Sequence, residues 1–468
     1  MYQMADVIGS TFSETKETFE VLNPATGKSF FSCPLTSLKQ IDDTLIAAKK
    51  AQPAFGALSQ KERKEMLNLC AKAIEENASE IAKTLTLEQG KPLKDASREV
   101  KGAASYFAFI AGQNIEDEII EDTEKGHIRI THKPYGLVAA ISAWNFPISL
   151  AAWKIAPALL TGNGVVIKPS PDTPLSTITL VNILSEVLPK GILGVVTGHQ
   201  KEGNHLVTHP LVDKVSFTGS VATGKKINEA VSSHLKRITL ELGGNDAAIV
   251  LKDCNVEKTA KGIFRGAFVN NGQTCIAIKR VYVHEEIHDA LIEEVVKIAK
   301  ATKIGDGMAD DTVLGPLCNQ RQRDIVEGLV LEAKKNGARI HAGGQRGELE
   351  GFFYEPTIVS GVKEGDAIVE TEQFGPALPF ISFKEEKDAI RQANAVSVGL
   401  GGSIWTQDIE KGKELLGQLE CGTAWLNQHV AIDLRAPFGG AKDSGIGVEH
   451  GKEGLLAFTQ KQVLNMRC

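Results

Sequence analysis

At 468 residues the chain is too long for one compact core, so two or three domains are expected. Its 42% hydrophobic and 24% charged residues fit a soluble globular protein, and the net charge of −6 gives no bulk attraction to nucleic acid or anionic lipid. No apolar run reaches the roughly 20 residues needed to cross a bilayer, so no membrane partner is expected.

The opening stretch, MYQMADVIGSTFSETKETFE, lacks a basic n-region and an apolar h-region, so no secretory signal is expected. Apolar residues at helical spacing predict helices over Leu38–Ala51 and Lys61–Asn77, with Glu80–Gln89 continuing the trend. The polar stretch Glu116–Pro134 alternates at period two through HIRITH and reads as an exposed hairpin arm. Short apolar runs at Gly136–Ser142, Gly164–Lys168, Leu193–Thr197, Lys214–Thr218 and Arg237–Leu242 then predict five strands, with helices at Ile148–Leu160 and Pro174–Val187 between the first of them. Apolar strands without polar alternation are buried on both faces, which points to a parallel, doubly wound sheet. Ligands bind such sheets beyond the carboxyl ends of the strands.

A second α/β region follows, from strand Asp246–Leu251 through helix Val256–Asn270 and strand Lys279–His284 to about Lys442. Ala457–Asn465 closes the chain as another strand. Two projecting edge strands would seek a partner, so oligomerisation is expected. The seven cysteines, Cys33, Cys70, Cys254, Cys275, Cys318, Cys421 and Cys468, are scattered with no C-x-x-C pair. They read as reduced thiols of a cytoplasmic protein rather than a disulfide framework or a zinc site.

Two short motifs invite specific chemistry and fall short of it. In SFTGSVATGKK, Ser216–Lys226, a strand leads through Gly219 to a helix that Ser220 can cap, a site suited to a pyrophosphate. Its G-x-x-x-x-G-K spacing resembles a Walker A loop, but Lys226 stands where magnesium coordination needs Ser or Thr. HEEIH, His284–His288, matches a zinc-protease signature. It puts His284 at a strand end and His288 in the first turn of a helix, so the two do not share a helical face. No metal is expected.

The remaining signals are distributed: Trp144-Asn145-Phe146-Pro147, Lys168-Pro169-Ser170, Glu241-Leu242-Gly243-Gly244-Asn245, Gly272-Gln273-Thr274-Cys275 at a helix end, and Glu372-Gln373-Phe374-Gly375-Pro376. Singly each has a bland reading, as a helix cap, a solvated strand end, a salt-bridge partner or a small buried hydrophobe. Together with Asn23–Gly27, Glu88-Gln89-Gly90-Lys91-Pro92, Pro437–Gly440 and Ser444–Gly447, in this order and over nearly the whole length, the chain resembles the aldehyde dehydrogenase superfamily of the hydrolytic, nicotinamide-dependent type.

The resemblance implies an α/β fold: a Rossmann-like doubly wound cofactor domain (residues 1–112 and 136–243), an α/β catalytic domain (244–442), and a small β oligomerisation arm with a C-terminal strand (113–135 and 443–468). It implies that Cys275 attacks an aldehyde as thiolate, with the oxyanion held by the Asn145 amide and the Cys275 backbone N–H. Glu241 would activate water to hydrolyse the thioester, and Glu449 matches a second family glutamate that relays protons. Relatives that acylate coenzyme A typically lack that first glutamate; acylation remains the alternative within the family, and a non-catalytic cofactor-binding protein the alternative outside enzymes. For the cofactor, the resemblance implies Lys168 and Glu372 at ribose hydroxyls, Gly219 and Ser220 at the pyrophosphate, Trp144 and Phe374 in packing, and Ile141, Ser170, Leu242 and Gly243 around them. NAD is expected, and NADP stays open because Pro171 replaces the glutamate that NAD-preferring relatives often carry. Phe146, Trp153, Thr274, Ile276 and Ile432 match pocket positions and imply an apolar tunnel, while QHVAIDLR should bring His429, Asp433 and Arg435 near its mouth. There Arg435 could bind an anion and Asp433 an amine, but solvated surface charges are the expected reading of both. A homodimer or homotetramer is expected.

Overall fold

The structure is a computed structural model that describes residues 17–467; the opening segment read for a signal and Cys468 lie outside the described residues. It begins with an antiparallel hairpin, β1 (Thr18–Asn23) and β2 (Lys28–Pro34), that apolar periodicity did not predict. Its turn is local chemistry: Asn23 Oδ1 accepts from the Ala25 N–H at 2.9 Å, and Gly27 takes a φ of +69°.

Four helices follow, α1 (Leu38–Gly56), α2 (Gln60–Glu76), α3 (Ala78–Gln89) and α4 (Leu93–Ala111). Capping boxes at Ser37/Gln40 and Ser59/Glu62 start the first two. Gly90, at φ +92°, ends α3 in the left-handed conformation. The polar arm forms as β3 (Glu118–Thr123) and β4 (Gly126–Pro134).

The first large sheet contains β5 (Leu137–Ile141), β6 (Gly164–Lys168), β7 (Leu193–Val195), β8 (Lys214–Thr218) and β9 (Arg237–Glu241). Between them run α5 (Pro147–Leu160), α6 (Leu175–Val187), α7 (Gln200–Thr208) and α8 (Val221–Ser232). The second sheet contains β10 (Asp246–Val250), β11 (Ile278–His284), β12 (Arg339–Ala342), β13 (Thr357–Ser360) and β14 (Ala377–Phe383). After the short β15 (Val398–Gly399), β16 (Gly401–Trp405) and β17 (Thr423–Leu426) complete it. The chain ends through β18 (Ala441–Lys442), β19 (Gly445–Ile446) and β20 (Thr459–Arg467).

Strand order in the first sheet is β19-β9-β8-β5-β6-β7, parallel except for β19. The chain moves outward from β5 through β6 to β7, then returns to lay β8 and β9 on the other side of β5. The loops leaving β5 and β8 therefore diverge, and the crevice between them is a topological switch point. The second sheet, β12-β13-β14-β11-β10-β16-β17, is parallel except for β12 and repeats the device, with β10 between β11 and β16. Both are buried on both faces: Val165, Val166 and Ile167 of β6 and Ala248, Ile249 and Val250 of β10 are wholly buried.

Helix α9 (Val256–Phe268) stops two residues before the expected end at Asn270. Asn270 and Asn271 take φ of +50° and +57°, a left-handed pair that breaks the helix and that Asn tolerates better than most residues. Cys275 consequently stands on a loop rather than at a helix end. The arm is a three-stranded sheet, β20-β4-β3, in which β4 is central.

Candidate active site

A cavity of about 460 Å³ opens where the carboxyl ends of β5, β8 and β9 meet the loop after α9. From the first sheet it takes Trp144, Asn145, Thr218, Gly219, Ser220, Leu242 and Gly243; Glu372 and Phe374 close that side. The Trp144 and Phe374 rings meet edge to face with centroids 5.2 Å apart. Phe146, Leu150, Trp153, Ile276, Val430, Ile432 and Phe438 make an apolar wall, and Thr274 and Cys275 line the same space.

At the head of α8 the Ser220 Oγ accepts from the Thr223 N–H, so this helix start is capped beside the cavity that Ser220 lines. Lys225, the lysine of the Walker-like spacing, pairs with Asp443 at 2.7 Å instead. Lys168 ends β6 with its Nζ on the Pro169 carbonyl at 3.2 Å, and burial pulls its ammonium down to about 8. Glu202 and Asp172 lie close enough to act against that pull. Ile141, Lys168 and Ser170 sit along the same carboxyl edge of the sheet, outside the residues that line the cavity.

The Cys275 thiol is half-buried, and loss of water pushes it up to about 12. The Lys279 ammonium pulls it down; Glu372, Asp246 and Glu241 push it up. Lys279 is wholly buried and donates to the carbonyls of Thr274 (2.7 Å), Ala277 (3.1 Å) and Cys275 (3.2 Å). It thus both fixes the nucleophile's loop and supplies the nearest positive charge. Glu372 lies 3.8 Å from Lys279 and accepts from the Gly244 N–H, yet burial still raises its carboxyl to about 7.

Asn145 donates from Nδ2 to the Gln273 carbonyl at 3.0 Å, leaving its second amide proton to face the cavity. Glu241, the last residue of β9, is buried and absent from the cavity lining, and among the described residues neither carboxylate oxygen has a hydrogen-bond partner. Burial raises its pKa well above the ordinary range; Glu449 adds to the rise and Lys154 opposes it. Lys154, wholly buried in α5, donates to Glu449 Oε1 at 2.6 Å and to Thr218 Oγ1 at 2.7 Å. At Gly439 an added Cβ would lie 3.2 Å from the Glu241 carboxylate, so PFGG leaves that group room.

Some expectations change. His429 is not at the cavity mouth. Its side chain is fully buried, 2.9 Å from the Ser403 Oγ and 3.5 Å from Asp246, because its loop turns inward between Asn427 (φ +55°) and Val430 (φ +60°). Asp433 and Arg435 are exposed and pair with each other, so neither charge is free for a ligand. His284 ends β11 and His288 begins the helix His288–Ala301. Four functional candidates escaped sequence reasoning: Lys91, Glu99, Lys154 and Lys279. Lys154 carried a signal, as the single charge in the apolar helix PISLAAWKIAPALL; a lysine there must be paired if buried.

A model of the Aldehyde dehydrogenase family matches residues 11–464. A betaine aldehyde dehydrogenase of Brucella anthropi is 37% identical over 464 residues, 97% of this chain and 95% of that protein. The structure of an aldehyde dehydrogenase from Bacillus cereus in complex with NAD+ superposes with a TM-score of 0.94 at 34% identity, covering 96% of this chain and 93% of that one. A betaine aldehyde dehydrogenase from Staphylococcus aureus, in complex with NAD+, gives a TM-score of 0.93 at 32% identity, over 97% of this chain and 94% of that one.

Proposed function

The chain belongs to the aldehyde dehydrogenase family, and on that premise we propose that it oxidises an aldehyde to the carboxylic acid with NAD, through a thioester on Cys275 that water hydrolyses. The observation that carries the reading is the meeting of Cys275 and the Asn145 amide on one cavity wall, with Glu241 buried at the end of the adjoining strand.

The residues present fit a dinucleotide. Gly219 and Ser220 lead into the N-terminus of α8, whose first-turn N–H groups suit a diphosphate, Lys168 has ammonium protons to spare, and a Cβ at Gly243 would lie only 2.2 Å from Glu372, so glycine there lets the carboxylate approach the backbone. Glu202 and Asp172 beside Lys168 disfavour an added 2′-phosphate, which supports NAD although Pro171 removes the usual glutamate. When bound, the cofactor accepts the hydride.

Cys275 Sγ bonds to the carbonyl carbon, and the oxygen gathers negative charge against the Asn145 amide and the Cys275 N–H. One such donor is typically worth about 3–4 kcal/mol. The high thiol pKa means that the nucleophile must give its proton to solvent water in the cavity before it attacks, with Lys279 the cation that favours the thiolate. After oxidation the acyl group remains on sulfur. Glu241 takes a proton from water, the water oxygen attacks the thioester carbon, and the C–S bond breaks to release acid and thiol. Glu241 favours water over coenzyme A as acceptor. The Lys154–Glu449 pair, whose charges act on Glu241 in opposite senses, is the route by which that proton leaves.

The wall of Phe146, Leu150, Trp153, Ile276, Val430 and Ile432 suits an apolar aldehyde. A quaternary-ammonium aldehyde is the second reading. It is favoured by the Trp153 and Phe438 rings, which could face a cation, and by the substrate named for two relatives. We also propose a homo-oligomer formed through the arm.

The test is reduced-nicotinamide formation by the purified protein with NAD or NADP. It uses a panel of aliphatic, aromatic, quaternary-ammonium and acidic aldehydes, with Cys275→Ala as control. Turnover with NAD and apolar aldehydes that disappears in the control is expected. Preference for succinic semialdehyde would end the apolar reading, and undiminished turnover by Cys275→Ala would end the mechanism.

A further inference from the structure

The segment EQGKP, which leads from α3 into α4, carries charges that look solvated in the sequence and are buried in the structure. Lys91 and Glu99 form an ion pair of 2.5 Å with side chains 1% and 2% exposed. A buried pair is costly to desolvate and adds little stability over apolar residues of the same volume. Its contacts give it another task. Lys91 Nζ also donates to the Asn145 carbonyl at 2.7 Å and lies 4.0 Å from the centroid of the Phe146 ring. Glu99 uses its other oxygen to accept from the N–H groups of Ile148 (3.0 Å) and Ser149 (3.2 Å). These are orphan donors of the first turn of α5, whose N-cap residue, Phe146, provides no side-chain cap.

We infer that the Lys91–Glu99 pair is the positioning element of the oxyanion hole, clamping the backbone from Asn145 to Ser149 so that the Asn145 amide stays aimed at the carbonyl oxygen of a substrate attacked by Cys275. The clamp works from one side. From the other, Asn270 Nδ2 donates to the same Asn145 carbonyl at 3.0 Å, and Asn145 Nδ2 reaches Gln273 on the nucleophile's loop. The oxyanion donor and the nucleophile are thereby held in one frame, with the ion pair as its charged anchor on the Asn145 side and Lys279 on the nucleophile's side. Displacement of such a donor by about 1 Å can cost on the order of 100-fold in rate. Lys91 is buried and does not line the cavity; it acts through Asn145. The inference rests on the proposed role of Asn145 as oxyanion donor.

An alkyl trifluoromethyl ketone isolates this role. The Cys275 thiolate adds to its carbonyl carbon, a C–S bond forms as the C=O π bond opens, and the oxygen becomes an alkoxide in the hole, with no hydride transfer and no leaving group. Inhibition by this ketone is measured in the wild type and in Lys91→Met, Glu99→Gln, the double variant and Asn145→Ala. NAD affinity and the rate of Cys275 alkylation by iodoacetamide, which makes no oxyanion, are measured alongside. Lys91→Met should bind the ketone roughly 10- to 100-fold more weakly, with alkylation and NAD affinity within about twofold of wild type. Glu99→Gln should lose less, since Lys91 keeps its bond to Asn145. Should the single Lys91 variant fail to fold with Glu99 left unpaired, the double variant carries the test. Wild-type ketone affinity in the Lys91 variants, beside a loss in Asn145→Ala, overturns the inference alone. Equal losses of alkylation and ketone binding overturn it too, because the whole site would then have loosened. Wild-type affinity in Asn145→Ala would instead bring down the reading of the oxyanion hole on which the inference stands.

Discussion

Glu241 is a residue whose burial is costly and whose chemistry depends on that cost. Its carboxyl is buried without a hydrogen-bond partner among the described residues and under the influence of a second carboxylate, Glu449, so its proton is held more tightly in the folded chain than in the unfolded one. The sign follows from linkage. As pH rises past the ordinary glutamate value, about 4.3, the unfolded chain loses this proton first, so the stability tied to the neutral acid falls progressively with pH until the folded group ionises. Glu241→Gln copies the neutral acid and has no proton to lose. The variant should therefore melt roughly a few degrees above wild type at pH 8, with the gap closing towards pH 5, as scanning calorimetry would record. A lower Tm at pH 8 would contradict the assignment. Cys275, Asn145 and Glu241 were legible in the sequence through the motifs around them. The charges that serve them were not, because Lys91, Glu99 and Lys279 look like ordinary solvated charges until the fold buries them.

At the scale of elements, strands β5 to β11 were legible because burial on both faces leaves uninterrupted apolar runs. The hairpin β1–β2 was not, since TFEVLN and KSFFSCP are only partly buried and too short to separate from loop. The end of α9 was missed because it is set by two consecutive left-handed asparagines, a backbone feature that apolar periodicity does not carry. The loop from Asn427 to Ile432 misled for a similar reason. A histidine in a polar stretch reads as exposed, but this one anchors the loop from beneath. The arm was predicted from alternation alone. Ile119, Ile120, Val463 and Met466 on it are 67%, 55%, 60% and 42% exposed, an apolar set suited to a second copy of the chain. Val463→Lys should shift the mass measured by light scattering towards the monomer while leaving the melting of the monomeric body nearly unchanged; an unaltered oligomer would remove the arm from the interface.

In the whole molecule, the two sheets bring together residues far apart in the chain: Asn145 after β5, Glu241 at the end of β9, Cys275 before β11. Strand periodicity forecasts that ligands gather at the carboxyl ends of the strands, but only the folded chain reveals that Glu241 stands off the cavity wall, its pKa raised by burial and set between the opposing influences of Glu449 and Lys154. The most direct test of hydrolytic thioester chemistry is rapid mixing of Glu241→Gln with NAD and a good apolar aldehyde from the panel. A burst of one reduced nicotinamide per subunit, followed by arrest and an acyl adduct on Cys275 by mass spectrometry, is the predicted result. Sustained turnover at the wild-type rate, with no adduct, would contradict it.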